Sequence, residues 1–247
     1  MTNSSAKSPR PKAKKLAEKA ASPKFSCDYC HTSFSFENTL LVHVCEPKRR
    51  FVAQDDKYVK LGFYTYQRFH EINYVGRKEK TYAEFAASNL YLAFTKFGRY
   101  LLNLNAIEPK QFVNWLIKAE VKLDHWERPV VYETYIRWLN TKESPGAAIE
   151  RAFTLMQSWA LENDDVWTDF FRKISTPLAT LWLKAGRISP WVLFLSESGP
   201  EMLMDRMTEE QRQIIYSNID PAFWDAKFKV AVEESDMIRE ELHAAGI

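Results

Sequence analysis

Three cysteines and one histidine carry the most distinctive chemistry in this 247-residue chain. Cys27, Cys30 and Cys45 are its only cysteines, and His43 stands two residues before the last of them. A disulfide framework calls for an even number of cysteines spread along the chain. A tight odd cluster beside a histidine reads instead as a metal site in a reducing compartment. Two thiols separated by two residues, followed by a histidine beyond a short apolar stretch, have the ligand spacing of a zinc finger. Phe25, Phe34 and Leu40 fall where such a module keeps its miniature core, which is too small to fold without the metal.

The fourth ligand departs from the pattern. The usual spacing leaves three to five residues between two histidines, which points here to Pro47, Lys48 or Arg49, and none of these binds zinc. On a continuing helix Cys45 would face roughly 200° away from His43. Pro47, however, biases Glu46 out of helical geometry. The helix is therefore expected to end near Val44, letting the chain swing the Cys45 thiolate back. The expected set is Cys27, Cys30, His43 and Cys45 around one structural Zn2+, with His31 next in line for the fourth place and Glu46 third. Four protein ligands close the tetrahedron and leave no open position for catalysis.

Zinc fingers that read DNA contact bases from just before the helix and from its third and sixth residues. In this chain those are Phe36, Thr39 and Val42. None is an Arg, Asn or Gln able to grip a base edge with two hydrogen bonds. Phe36, Leu41 and Val42 are expected instead to pack against another surface, either the rest of the chain or a partner protein. Lys48, Arg49 and Arg50 remain as a cluster able to meet phosphates, or as a solvated linker.

Charge divides unevenly. Residues 1–50 hold ten Lys and Arg against four Asp and Glu, a net of +6, so that the remainder of the chain carries −4. Residues 1–23, rich in Lys, Ala, Ser and Pro, read as a disordered basic arm. Lys12, Lys14 and Lys15 are its candidate phosphate contacts, with a solubilising tail as the plain alternative. The finger follows over 24–46, then a basic connector over 47–54. From 55 to 247 the periodicity is helical. Tyr58, Leu61, Thr65, Phe69 and Ile72 line one face, and Thr81 and Glu84 form a capping box ahead of a stretch running through Leu101. Prolines at positions 109, 145, 177, 190 and 221 each sit where a first helical residue belongs, four of them after a Ser, Thr or Asp cap. The resulting helices lie near 109–121, 129–141, 145–162, 165–174, 177–185, 190–195, 208–218 and 221–244. The fold class expected is mainly α: a small N-terminal ββα-type zinc finger followed by an all-α multi-helix domain.

The segment "CDYCHTSFSFENTLLVHVCEPKRR" and the aromatic-rich "TYAEFAASNLYLAFTKFGRYLLNL" resemble a family of uncharacterised proteins of large T-even-like tailed phages. Those proteins similarly join one N-terminal C2H2-like finger to a long helical region. The resemblance implies zinc binding and a phage setting, and brings no assigned activity. The stretch "AFTKFGRYLLNLNAIEPKQFVNWLIKAE" is also faintly similar to the helical DNA-clasping domain of tyrosine recombinases, without a recombinase active site.

Elsewhere the chemistry is sparse. His70-Glu71 has no second histidine at ligand spacing, and Asp124-His125-Trp126-Glu127 is the densest acid–base cluster, placed between helices. Loop caps and salt bridges account for such groups more readily than catalysis; a nuclease is the enzymatic alternative. The eight tryptophans, all from Trp115 onward, read as packing residues rather than a platform for bases. No apolar run is long enough to span a membrane, and the N-terminal residues lack the apolar core of a secretory signal. The expectation is therefore a non-enzymatic zinc protein of the host-cell cytoplasm, with virion association left open. It would touch DNA or RNA without sequence preference through arm and connector, and a phage or host protein through its helices. The alternative is a purely protein-binding module.

Overall fold

The computed structural model describes residues 25–73 and 78–247. The basic arm, with Lys12, Lys14 and Lys15, lies outside the described residues. The chain divides after Gln54 into two compact units.

The first unit begins with an antiparallel hairpin of β1 (Phe25–Ser26) and β2 (Ser33–Phe34), pairing Phe25 with Phe34 and Ser26 with Ser33. Helix α1 (Glu37–Leu41) and helix α2 (Glu46–Val52) complete it. The basic connector is thus largely a helix, with Pro47 in its first turn, where a missing N–H breaks no hydrogen bond. Glu46 is the first residue of that helix rather than being excluded from it, and the extended residue is Cys45 (φ −114°, ψ 162°).

The second unit is all helical among its described residues. It comprises α3 (Lys57–Asn73), α4 (Tyr82–Ala87), α5 (Tyr91–Asn103), α6 (Pro109–Lys118), α7 (Pro129–Lys142) and α8 (Pro145–Asn163). It continues with α9 (Phe170–Lys173), α10 (Thr176–Lys184), α11 (Pro190–Leu195), α12 (Glu209–Tyr216), α13 (Pro221–Val230) and α14 (Val232–Ala244). The fold is therefore mainly α with a small ββα-type module in front.

Both capping boxes form, Thr81 with Glu84 and Thr208 with Gln211. Ser144, Ser189 and Asp220 cap their helices through side-chain oxygens, but Thr176 lies inside α10, with Ser175 at the cap position. The stretch after Thr81 is two helices, broken over residues 88–90, and residues 221–244 are likewise split at Ala231.

Helices α3 and α5 cross almost backbone to backbone. A Cβ on Gly98 would stand 2.1 Å from the Tyr58 carbonyl oxygen, and one on Gly62 would stand 2.7 Å from that of Phe94. Around this crossing the core is aromatic: Tyr66, Phe85, Tyr91, Phe94, Phe97 and Phe112 are all buried. Thr65, the polar member of the expected α3 face, is fully buried with its hydroxyl donating to the Leu61 carbonyl at 2.7 Å, while Ile72 is exposed. A second core runs from Ala148 to Ile247 and includes Trp159, Trp191 and Trp224. No helix among the described residues is long and apolar enough to cross a membrane.

Candidate metal centre

Cys27 and Cys30 sit on the knuckle between β1 and β2. The Cys27 amide donates to the Thr32 carbonyl at 3.0 Å and the His31 amide to the Cys27 carbonyl at 2.8 Å. His31 takes a left-handed backbone (φ 57°) to turn the knuckle, and its side chain is exposed. Helix α1 lasts five residues, so His43 stands just past its end rather than on it. The His43 amide donates to the Leu40 carbonyl at 3.1 Å, and its ring packs on Phe34 with centroids 4.7 Å apart. Two residues on, Cys45 caps α2, its carbonyl accepting from the Arg49 amide at 2.9 Å.

These turns bring four ligand atoms together. The thiol sulfurs of Cys27, Cys30 and Cys45 and a ring nitrogen of His43 all lie within 4.8 Å of one another. Cys27 Sγ is 3.9 Å from Cys45 Sγ, and Cys30 Sγ is 3.2 Å from His43 Nε2. A tetrahedron with zinc–sulfur bonds near 2.3 Å and zinc–nitrogen bonds near 2.0 Å separates its ligand atoms by roughly 3.5–3.8 Å. Three soft thiolates and an imidazole in that arrangement fit a closed zinc site, one that small shifts of the two pairs complete. His31 does not join the cluster, and the Glu46 carboxylate is engaged by Arg49 at 2.7 Å and Arg50 at 3.0 Å.

The thiols differ in acidity. Hydrogen bonding with the Thr32 side chain, then with its backbone, then with His43 lowers Cys30 to about 6, whereas burial pushes Cys45 up. A metal cation favours the thiolate at every position and levels that difference. The apolar support is thin. Cys27 is buried, but Phe25, Phe34 and Leu40 are each only half-buried. So small a core fits a module whose folding is tied to its metal.

Compared with known proteins, the chain matches no family model, no curated protein and no solved structure.

The remaining expected site residues fall as follows. Lys48 donates to the His43 carbonyl at 3.3 Å, and Arg49 and Arg50 both pair with Glu46, so the cluster is tied into the finger itself. The Tyr29 and Phe51 rings, 5.1 Å apart, fasten α2 to the knuckle. Phe36, Leu41 and Val42 are 72, 69 and 77% exposed. The His70 ring meets that of Tyr66 edge to face, centroids 4.4 Å apart. In the acid–base cluster Glu127 pairs with Lys96 at 2.7 Å, buried Trp126 donates to the Val121 carbonyl at 2.8 Å, and His125 stands 3.6 Å from Asp124. Two features were not legible in the sequence: a buried pair of Glu143 and Arg151, and a cleft between Trp115 and Trp138.

Proposed function

We propose that this protein acts by binding rather than by catalysis, as a zinc-closed clasp that docks on a partner protein through the face of α1. The observation that carries this reading is the exposure of Phe36 and Val42, at two positions where a base-reading finger presents polar side chains, with Leu41 exposed beside them. The five residues of α1 span only about 7.5 Å, a short rod for the major groove. Zinc serves here to hold knuckle and α2 at fixed geometry. The resemblance to tailed-phage proteins supports placing the protein in the cytoplasm of an infected host cell, with a phage or host protein as partner.

A second reading, association with DNA or RNA phosphates, rests on Arg49. Its side chain is 66% exposed, and its pairing with a half-exposed Glu46 is weak in water. One experiment separates the two. Zinc-loaded protein is compared with a variant carrying Phe36→Ser, Leu41→Ser and Val42→Ser and with one carrying Lys48→Ala, Arg49→Ala and Arg50→Ala. Nuclease-resistant capture of a defined partner that the first variant loses and the second keeps supports protein docking. Salt-dependent duplex binding that only the second variant loses supports the phosphate reading.

A further inference from the structure

Helices α6 and α7 of the second unit form an open cleft of about 460 Å³ lined by Gln111, Asn114, Trp115, Lys118, Ala119 and Trp138. Both tryptophans are half-buried and held by one ring between them: Tyr135 lies 5.8 Å from Trp115 and 5.9 Å from Trp138. They therefore offer braced aromatic surface at the wall of a cavity rather than filling the core.

The polar groups of the lining are chiefly donors. Asn114 Oδ1 accepts from Arg68 Nε at 2.8 Å and from the Tyr64 hydroxyl at 3.3 Å, which occupies both lone pairs of the amide oxygen. Its NH2 group is left as the part of the side chain available to a ligand. Lys118 is exposed and has no ion-pair partner among the described residues. No Asp or Glu lines the cleft. A sugar, whose hydroxyls donate as well as accept, would want carboxylate acceptors. Aromatic surface with amide and ammonium donors suits a planar, acceptor-rich ligand that carries negative charge.

We propose that this cleft binds a nucleobase with its attached phosphate, the base on Trp115 or Trp138, its edge met by Asn114 and the phosphate by Lys118. The chemistry is shared by a free nucleotide and by a single strand of nucleic acid. The site lies in the second unit and goes beyond the docking reading of the finger, on which it does not depend.

The test titrates intact, zinc-loaded protein with adenosine 5′-monophosphate and, separately, with an eight-nucleotide single strand, following tryptophan fluorescence. Quenching by either probe is expected: equal affinities per site identify the free nucleotide as the source, and a tighter strand identifies nucleic acid. Asn114→Asp keeps an acceptor for Arg68 and Tyr64 while removing the free donors, and Lys118→Glu reverses an exposed charge. Each is expected to weaken binding at least about tenfold with the thermal transition retained. The Lys48→Ala, Arg49→Ala, Arg50→Ala variant is expected to bind as the wild type does. No binding of either probe, or undiminished binding by both cleft variants, overturns the proposal. Strand binding lost only in the triple variant likewise overturns it and returns nucleic-acid contact to the finger.

Discussion

The Cys45 sulfur lies 3.9 Å from that of Cys27, although the two residues are eighteen apart in the chain. That proximity depends on the shortness of α1 and on a second helix opening at Glu46, which together fold the segment after His43 back over the knuckle. Had α1 continued, the fourth thiol would have faced away from the other three ligands.

Metal removal should act on the two units differently. The finger has only a marginal core, whereas residues 148–247 and the aromatic cluster around α3 and α5 bury large side chains of their own. A strong zinc chelator is expected to open residues 25–54 to limited proteolysis while moving the main thermal transition by less than about 2 °C.

Two glycines in different surroundings are expected to answer alanine with opposite signs. Gly98→Ala places a methyl against the Tyr58 carbonyl, so the helices must part, with a loss of about 3 kcal/mol. In a unit of this size that is roughly a 6–12 °C fall in melting temperature. Gly146 in α8 has nothing within 4 Å of its would-be Cβ, and Gly146→Ala is expected to stabilise by up to about 1 kcal/mol. Thermal melts of the two variants read both signs.

Glu143 and Arg151 form a buried ion pair, their side chains only 4% and 18% exposed, with the Ser189 hydroxyl 3.5 Å from the carboxylate. Burial also lowers the affinity of the guanidinium for its proton. Glu143→Ala strands that cation and is expected to destabilise by about 3–5 kcal/mol. Adding Arg151→Met to it should recover much of the loss, because the uncompensated charge goes with it. Chemical denaturation of the single and double variants measures the difference.

Acid should weaken the cap of α4. A hydrogen bond from Lys80, followed by the Thr81 amide, holds the Glu84 carboxyl down from the usual 4.5 to about 2. A carboxyl lowered on folding contributes fully above its unfolded value and loses that contribution as pH falls through its folded one. Wild type is therefore expected to exceed Glu84→Gln in stability by a constant margin above about pH 5, and the margin should close toward pH 2.

Local chemistry made much of this architecture legible. Ser144, Ser189 and Asp220 announce their helices because a cap oxygen and a following proline satisfy the same first turn. The cluster of Cys27, Cys30, His43 and Cys45 was legible for a similar reason, since ligand type and spacing are properties of the chain itself. What escaped depends on neighbours distant in sequence. Ala231 breaks α13 from α14 with no glycine or proline to mark it. Connector residues 47–54 read as a linker from Pro47 and the Lys48-Arg49-Arg50 run, yet Glu46–Val52 is a helix whose Phe51 packs on Tyr29 back in the knuckle. The tryptophan cleft could not be foreseen either. Trp115 and Trp138 look like any core residue until α6 and α7 are set side by side.

Zinc content decides the central claim most directly. Purified wild-type protein is expected to hold one zinc per chain, retained against a competing chromophoric chelator. His31→Ala should match it, and Cys45→Ala should lose the metal or yield it to the chelator far more readily. Full zinc retention in Cys45→Ala, or loss in His31→Ala, would contradict the ligand set of Cys27, Cys30, His43 and Cys45.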